Sequence, residues 1–142
     1  MADDSGLAKF QRRMKAIPVE VRRAVVPALE KSAEEIASVM RATVPVDEGD
    51  LKASIRVTGP GLSTPPYSQP GGSLIVPELT SAVTAGNADV RYAHLVEYGH
   101  SNGVNNSVVP PHPFFWPSVR LGQKRAMNRI KRAISKAVRE AK

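Results

Sequence analysis

The sequence predicts an α+β fold, in which a small antiparallel sheet packs with a long N-terminal helix and a long, basic C-terminal helix. Three observations predict it. Apolar residues recur at spacings of three and four up to Thr43. The middle of the chain then breaks into short apolar runs separated by Gly, Pro and Asn. Helical spacing returns after Pro113 and holds to the C-terminus.

Taken in order, Leu7, Phe10, Met14 and Ile17 give a short amphipathic helix that ends before Pro18. A second helix follows over 19–43, with Val25, Leu29, Ile36 and Met40 as its apolar stripe and Ala33 filling the gap. Pro27 lies inside it, removing one donor and crowding the preceding turn, so a kink or a break into two helices is expected there. Pro45 stops the segment, because a residue before proline is pushed out of helical geometry. Asp47 and Gly49 then build a turn: the carboxylate can accept backbone N–H groups and the glycine can take a positive φ.

Residues 55–57 read as a strand. Residues 59–72 hold four Pro and four Gly and read as a long flexible loop. Residues 74–76 and 79–85 read as strands joined around Pro77 and Glu78, and Gly86-Asn87 suggests a hairpin between 80–85 and 90–91. Residues 92–98 suit a strand or a two-turn helix. Gly99, the usual residue for a left-handed helix cap, favours the helix. Residues 100–112 read as a second long flexible loop. Pro113 is placed to open the last helix, where its missing N–H costs nothing, and Phe115, Val119, Met127, Ile130, Ile134 and Val138 can share one face of it.

At 142 residues and 15.3 kDa the chain suits one domain, 1–142. Only seven residues are aromatic, so the core is thin and packing against further copies of the chain would supply what it lacks. With no cysteine there is no disulfide, thiolate nucleophile or Cys-ligated metal. No apolar run reaches membrane-spanning length, and the polar, acidic N-terminus does not read as a secretory signal. The expectation is a soluble protein of the cytosol, or of a particle assembled there, with no membrane partner.

The formal charge of +7 is unevenly placed. Residues 120–142 carry nine basic residues and one acid, while residues 1–119 carry 11 basic and 12 acidic ones. Lys124, Arg125, Arg129, Arg132, Lys136 and Arg139 are therefore the candidates to meet a polyanion or an acidic partner. No helix-turn-helix pattern accompanies them, and beyond Trp116 no aromatic residue offers a stacking platform. A solvated helix face explains the same charges, and a small basic nucleic-acid-binding protein is the alternative function.

No catalytic, metal or cofactor site is expected. His94 and Glu97, three apart, and His100 and His112 nearby lack the spacing of a metal motif. No serine sits in a nucleophile elbow, and the Gly-Pro runs lack the Lys-Ser/Thr of a phosphate loop. No small-molecule substrate is implied. Phe114, Phe115 and Trp116 are consecutive, so on a helix start they cannot all face one core, and at least one is expected to meet a neighbouring subunit or loop.

Three stretches in order resemble a phage family. Residues 42–55, ATVPVDEGDLKASI, resemble the A-P-V-D-T-G-x-L-[RK]-x-S-I stretch, with Pro45, Asp47, Gly49 and Leu51 in the matching positions and Glu48 where Thr is usual. Residues 92–99, YAHLVEYG, resemble Y-A-x-x-V-E-[FY]-G, and residues 110–118, PPHPFFWPS, resemble P-x-P-F-[LF]-x-P-A. The family is that of head-to-tail joining (tail-completion, neck) proteins of long-tailed double-stranded DNA bacteriophages. The resemblance implies a non-enzymatic virion protein, assembled in the host cytoplasm. It would form a ring, a hexamer, between a head-side connector protein and the tail-tube protein, with packaged DNA passing through. Tyr92, Glu97, Tyr98, Gly99, Pro113, Phe114, Phe115 and Trp116 become candidates for the subunit interface. Glu97 is open to two roles, a structural one within the domain or a salt bridge between subunits.

Overall fold

Two long helices set the frame of the molecule, and the segment between them packs along the first, from its C-terminal end, where the main core lies, to its start, where Glu78 meets Arg22 and Leu79 packs beside Val21 and Val25. In the computed structural model, residues 18–46, 49–102 and 107–140 are described, together with Ala8 and Arg12. The elements are helix α1 (Val19–Thr43), the single turn α2 (Asp50–Ala53), strands β1 (Arg56–Thr58) and β2 (Ala82–Thr84), and helix α3 (Ala93–Tyr98). Strands β3 (His100–Asn102) and β4 (Ser107–Val109) and helix α4 (Phe115–Glu140) complete the chain. This is the α+β class the sequence predicts, with two two-stranded antiparallel sheets rather than one. The helix expected over 7–17 lies outside the described residues, except for Ala8 and Arg12, which are helical.

Helix α1 runs unbroken through Pro27, so of the two outcomes expected there, a kink or a break, the break does not occur. The proline leaves the Arg23 carbonyl without its helical partner, but both residues are on the exposed face, where water can take the bond. Val44 turns to extended geometry (φ −64°, ψ 137°) ahead of Pro45 and ends the helix.

Helices α1 and α4 pack antiparallel. Val21 and Val25 near the start of α1 meet Ala137 near the end of α4, and Thr43 at the end of α1 lies 3.4 Å from the Ser118 hydroxyl near the start of α4. Small residues let the backbones approach: a Cβ built on Gly122 would stand 2.7 Å from Ile36 Cγ1. That close approach decides which face of α4 is covered. Phe115, Ser118 and Ala137 are buried, whereas Met127, Ile134 and Val138, expected on the core face, are 48%, 39% and 57% exposed. With Trp116 they form a second apolar strip along the side of α4 rather than its seam with α1.

The main core lies at the α1 C-terminal end, where Ala37, Met40, Val44, Leu51 and Ile55 meet Ala85, Val90, Ala93, Phe114 and Phe115. Gly49, at φ +86°, caps α2 in the left-handed conformation expected of it; Asp47 and Glu48 lie outside the described residues. The buried Ser54 hydroxyl donates to Leu51 O at 2.6 Å and accepts from Gly86 N–H at 2.9 Å, tying the turn to the end of β2.

Strand pairing differs from expectation in three places. β2 pairs with β1, Val57 opposite Val83, and not with 90–91. Asn87 explains this: its Oδ1 accepts the N–H groups of Asp89 and Val90 at 2.9 and 3.0 Å, closing a tight turn that leads into α3 instead of a returning strand. Residues 74–76 pair with 61–64, through Thr64 N–H to Leu74 O and Val76 N–H to Leu62 O, both 2.8 Å. The positive φ of Leu79 (54°) turns the chain before β2, which shortens the expected 79–85 strand to 82–84. The 59–72 segment is thus one arm of a paired flap, and Ser68 at its base is fully buried. Residues 100–109 contain the hairpin β3–β4, His100 opposite Val109, where a loop was expected.

Candidate functional site

The residues from the second and third resembling stretches meet at the start of α4, and one carboxylate joins them. A helix leaves four N–H groups at its N-terminus without helical partners. In α4 these belong to Phe114, Phe115, Trp116 and position 117. Glu97 Oε2 accepts from Phe114 N–H at 2.8 Å and from Phe115 N–H at 2.9 Å, and its Oε1 accepts from Trp116 N–H at 3.1 Å. Position 117 is proline and has no N–H, so no orphan donor is left. The first intrahelical acceptor, Phe114 O, also takes the Ser118 hydroxyl at 2.5 Å.

Glu97 is only 6% exposed. Its burial is compensated by three charge-assisted hydrogen bonds and by the positive end of a 26-residue helix. Of its two expected roles, the structure displays the one within the domain: the carboxylate turns inward to cap α4. Pro113 does not open α4 as expected. The helix starts at Phe115, because residues 110–113 run extended past α3, with His112 N–H donating to Val96 O at 2.8 Å, and this delivers Phe114 to Glu97.

Gly99 links α3 to β3. Its N–H donates to Leu95 O at 2.8 Å, so it closes the helix, but at φ +76° and ψ 170° it is not the left-handed cap expected. The chain must pass straight from helix into strand at His100, which requires extended ψ together with positive φ, a combination open essentially to glycine alone. A Cβ there would also stand 2.7 Å from Val109 O and 2.9 Å from Pro111 N.

The aromatic trio divides as side-chain geometry demands. Phe114 and Phe115 are buried, edge to face at 6.4 Å, while Trp116 is 38% exposed and its indole N–H donates to Tyr98 Oη at 2.7 Å. Tyr98 is 66% exposed and Tyr92 41%. Tyr98 and Trp116 stand at the wall of a shallow cleft of about 40 Å³, partly open to solvent, whose lining includes Ala93, Phe114, Glu97 and, from the flap, Gln69 and Pro70. His94 lines it too, but among the described residues no group of three or more His, Asp or Glu is placed to hold a metal.

The basic candidates do not form one class. Arg129 is 16% exposed and clasps Glu35 of α1 through both guanidinium ends, at 2.8 and 2.7 Å, with Ser32 Oγ at 3.4 Å. The hydrogen bond from Arg129 holds the Glu35 carboxyl below its ordinary value, aided by the charges of Arg125, Arg129 and Lys31. In turn it raises the Arg129 guanidinium above its own. Arg129 is thus spent on the helix pair. Arg125 approaches the same carboxylate at 3.6 Å but is 73% exposed. Lys124, Arg132, Lys136 and Arg139, with Arg120 and Lys131, line the exposed side of α4. No described helix is long and apolar enough to cross a membrane.

Several residues that build the site carry little signal in the sequence. Ser54 stands within the first resembling stretch, yet its bond to Gly86 is visible only in three dimensions. Gly122 reads as a flaw in a helix until Ile36 is seen against it. Gln69 and Pro70 reach the cleft because Gln69 pairs with Ala85, N–H to O in both directions at 2.8 and 3.1 Å.

Residues 8–99 match the model of the HK97-gp10-like family, described as "Bacteriophage HK97-gp10, putative tail-component". The match spans more than half the chain and includes the first two resembling stretches, ending at Gly99. No curated protein and no solved structure matches.

Proposed function

Because the chain belongs to the HK97-gp10-like family of bacteriophage tail components, we propose that it completes the tail as a ring and joins it to the DNA-filled head. Family membership makes it a tail structural protein of the virion; the ring and its place at the neck are the proposal. The observation that carries the ring is apolar surface: Leu62, Leu74, Ile75, Tyr98, Val108 and Leu121, on separate elements, are each more than half exposed. A subunit of a closed ring gives roughly 800 Å² to each of two neighbours, and clustered exposed apolar side chains are what such contacts cover. Isologous contacts close at a dimer, so a ring needs two different faces meeting head to tail. Six copies are expected. In this reading the exposed cations of α4 meet DNA in the channel or an acidic neighbouring ring.

Native mass spectrometry of the purified protein, alone and mixed with tails, tests the ring. One closed species, six-fold by this proposal, is the expected result. A protein that stays monomeric in both samples, and binds duplex DNA with a steep salt dependence, would overturn the ring in favour of a nucleic-acid-binding role.

A further inference from the structure

We infer that the two faces of the ring contact are the flap of one subunit and the Tyr98–Trp116 cleft of the next. The inference rests on the head-to-tail ring proposed above and names the surfaces that make it. Its first support is where charge is missing. Residues 59–77, which contain both arms of the flap, carry no Asp, Glu, Lys or Arg, although such residues make up 23% of the chain. Residues 92–99 and 110–119, from which most of the cleft lining comes, carry one, Glu97, and that carboxylate is buried on the α4 amides. Depletion of charge together with exposed Tyr and Trp is the compositional mark of an interface core.

The second support is what these stretches expose. The flap presents Leu62, Leu74 and Ile75 at 62%, 56% and 75% exposure, and the cleft presents Tyr98 and Trp116. Isolated exposed apolar residues are ordinary; two uncharged clusters of them on different elements are not. The third support is form. The flap is a hairpin already paired through Gly61 N–H to Val76 O and Val76 N–H to Leu62 O, so it loses little freedom on docking. The cleft is concave, with Tyr98 and Trp116 fixed by their mutual hydrogen bond. A chain's own flap supplies Gln69 and Pro70 to its cleft, but Leu62 and Ile75 are absent from the lining, which leaves them for a neighbour. An aliphatic hairpin on an aromatic wall also gives the two unlike surfaces that a head-to-tail contact requires.

The chain has no cysteine, so thiol cross-linking can be aimed at chosen pairs. Ile75→Cys and Tyr98→Cys both lie at exposed positions. The double variant, treated with a short bismaleimide as purified protein and in assembled tails, is expected to give a ladder of cross-linked multimers. Mixing the two single variants is expected to stop at dimers, with neither single variant cross-linking alone. If wild-type protein forms rings while the double variant yields no ladder in either sample, or if Ile75→Cys alone cross-links, this contact is overturned and the ring stands. If native mass spectrometry finds no ring alone or on tails, both fall together. As a second measurement, Ile75→Asp is expected to lower ring assembly at least tenfold while leaving the thermal midpoint of the isolated chain unchanged; rings at wild-type level would contradict the inference.

Discussion

Replacing Glu97 tests whether the cap at α4 is what fixes the last helix against α3. The carboxylate accepts three backbone N–H groups at 2.8, 2.9 and 3.1 Å from a site 6% exposed. In Glu97→Gln the side chain keeps its shape but has one acceptor oxygen, which can serve two of those amides, and its NH2 faces the third. One buried donor left unpaired costs about 1–3 kcal/mol. Loss of the charge at a partly buried helix terminus costs up to about 2 kcal/mol more. The expected loss for Glu97→Gln is about 2–3 kcal/mol, and for Glu97→Ala, which frees all three amides and opens space beside Phe114, about 4–5 kcal/mol. At roughly 3 °C per kcal/mol for a chain of this size, Glu97→Gln should melt about 6–9 °C below wild type. Urea titration gives the same quantity at constant temperature. A Glu97→Gln protein within about 0.5 kcal/mol of wild type would refute the cap as an energetic element and return Glu97 to the role of an intersubunit ion pair.

Three further outcomes are expected. Gly99→Ala should lose about 2–4 kcal/mol in urea titration, since positive φ with extended ψ is glycine's and the new Cβ meets backbone atoms of Val109 and Pro111 that no rotamer change can move; a wild-type midpoint would contradict this. The Glu35–Arg129 pair has a pH signature. Because the Glu35 carboxyl is held below its ordinary value of 4.5, the stability it lends is fully present above that pH and lost as pH falls through the lower folded value. Wild type should therefore exceed Glu35→Gln in stability at neutral pH, the gap closing on acidification; a constant gap would place its origin elsewhere. Finally, Lys124→Glu, Lys131→Glu and Arg132→Glu should leave stability within about 0.5 kcal/mol while reducing retention on heparin, whereas Arg129→Glu should destabilise the helix pair; equal behaviour of all four would contradict the division of the basic residues.

The two long helices were legible in the sequence because their apolar spacing spans many turns, and tertiary contacts only had to choose the rotation. That choice was not legible. Gly122 against Ile36 draws the helices together and covers Ala137 where Met127, Ile134 and Val138 look like better core residues. The cap on α4 was half legible: Glu97 stands where a carboxylate can serve a backbone, but its targets lie 17 to 19 residues away and depend on the path of residues 110–113. Short strands fared worst. Residues 100–109 are rich in Asn and Ser, so nothing local marks β3 and β4, and residues 74–76 carry a strand pattern that cannot name its partner. Arg129 shows the same limit for charge, since its carboxylate partner is 94 residues distant.

The most direct test of the central claim is electron microscopy of lysates from a phage in which this gene has been deleted, with and without the protein supplied in trans. A tail-completion ring at the neck predicts DNA-filled heads and separate tails, restored to joined, infectious particles when the protein is supplied. Joined particles of normal infectivity in its absence would contradict the account.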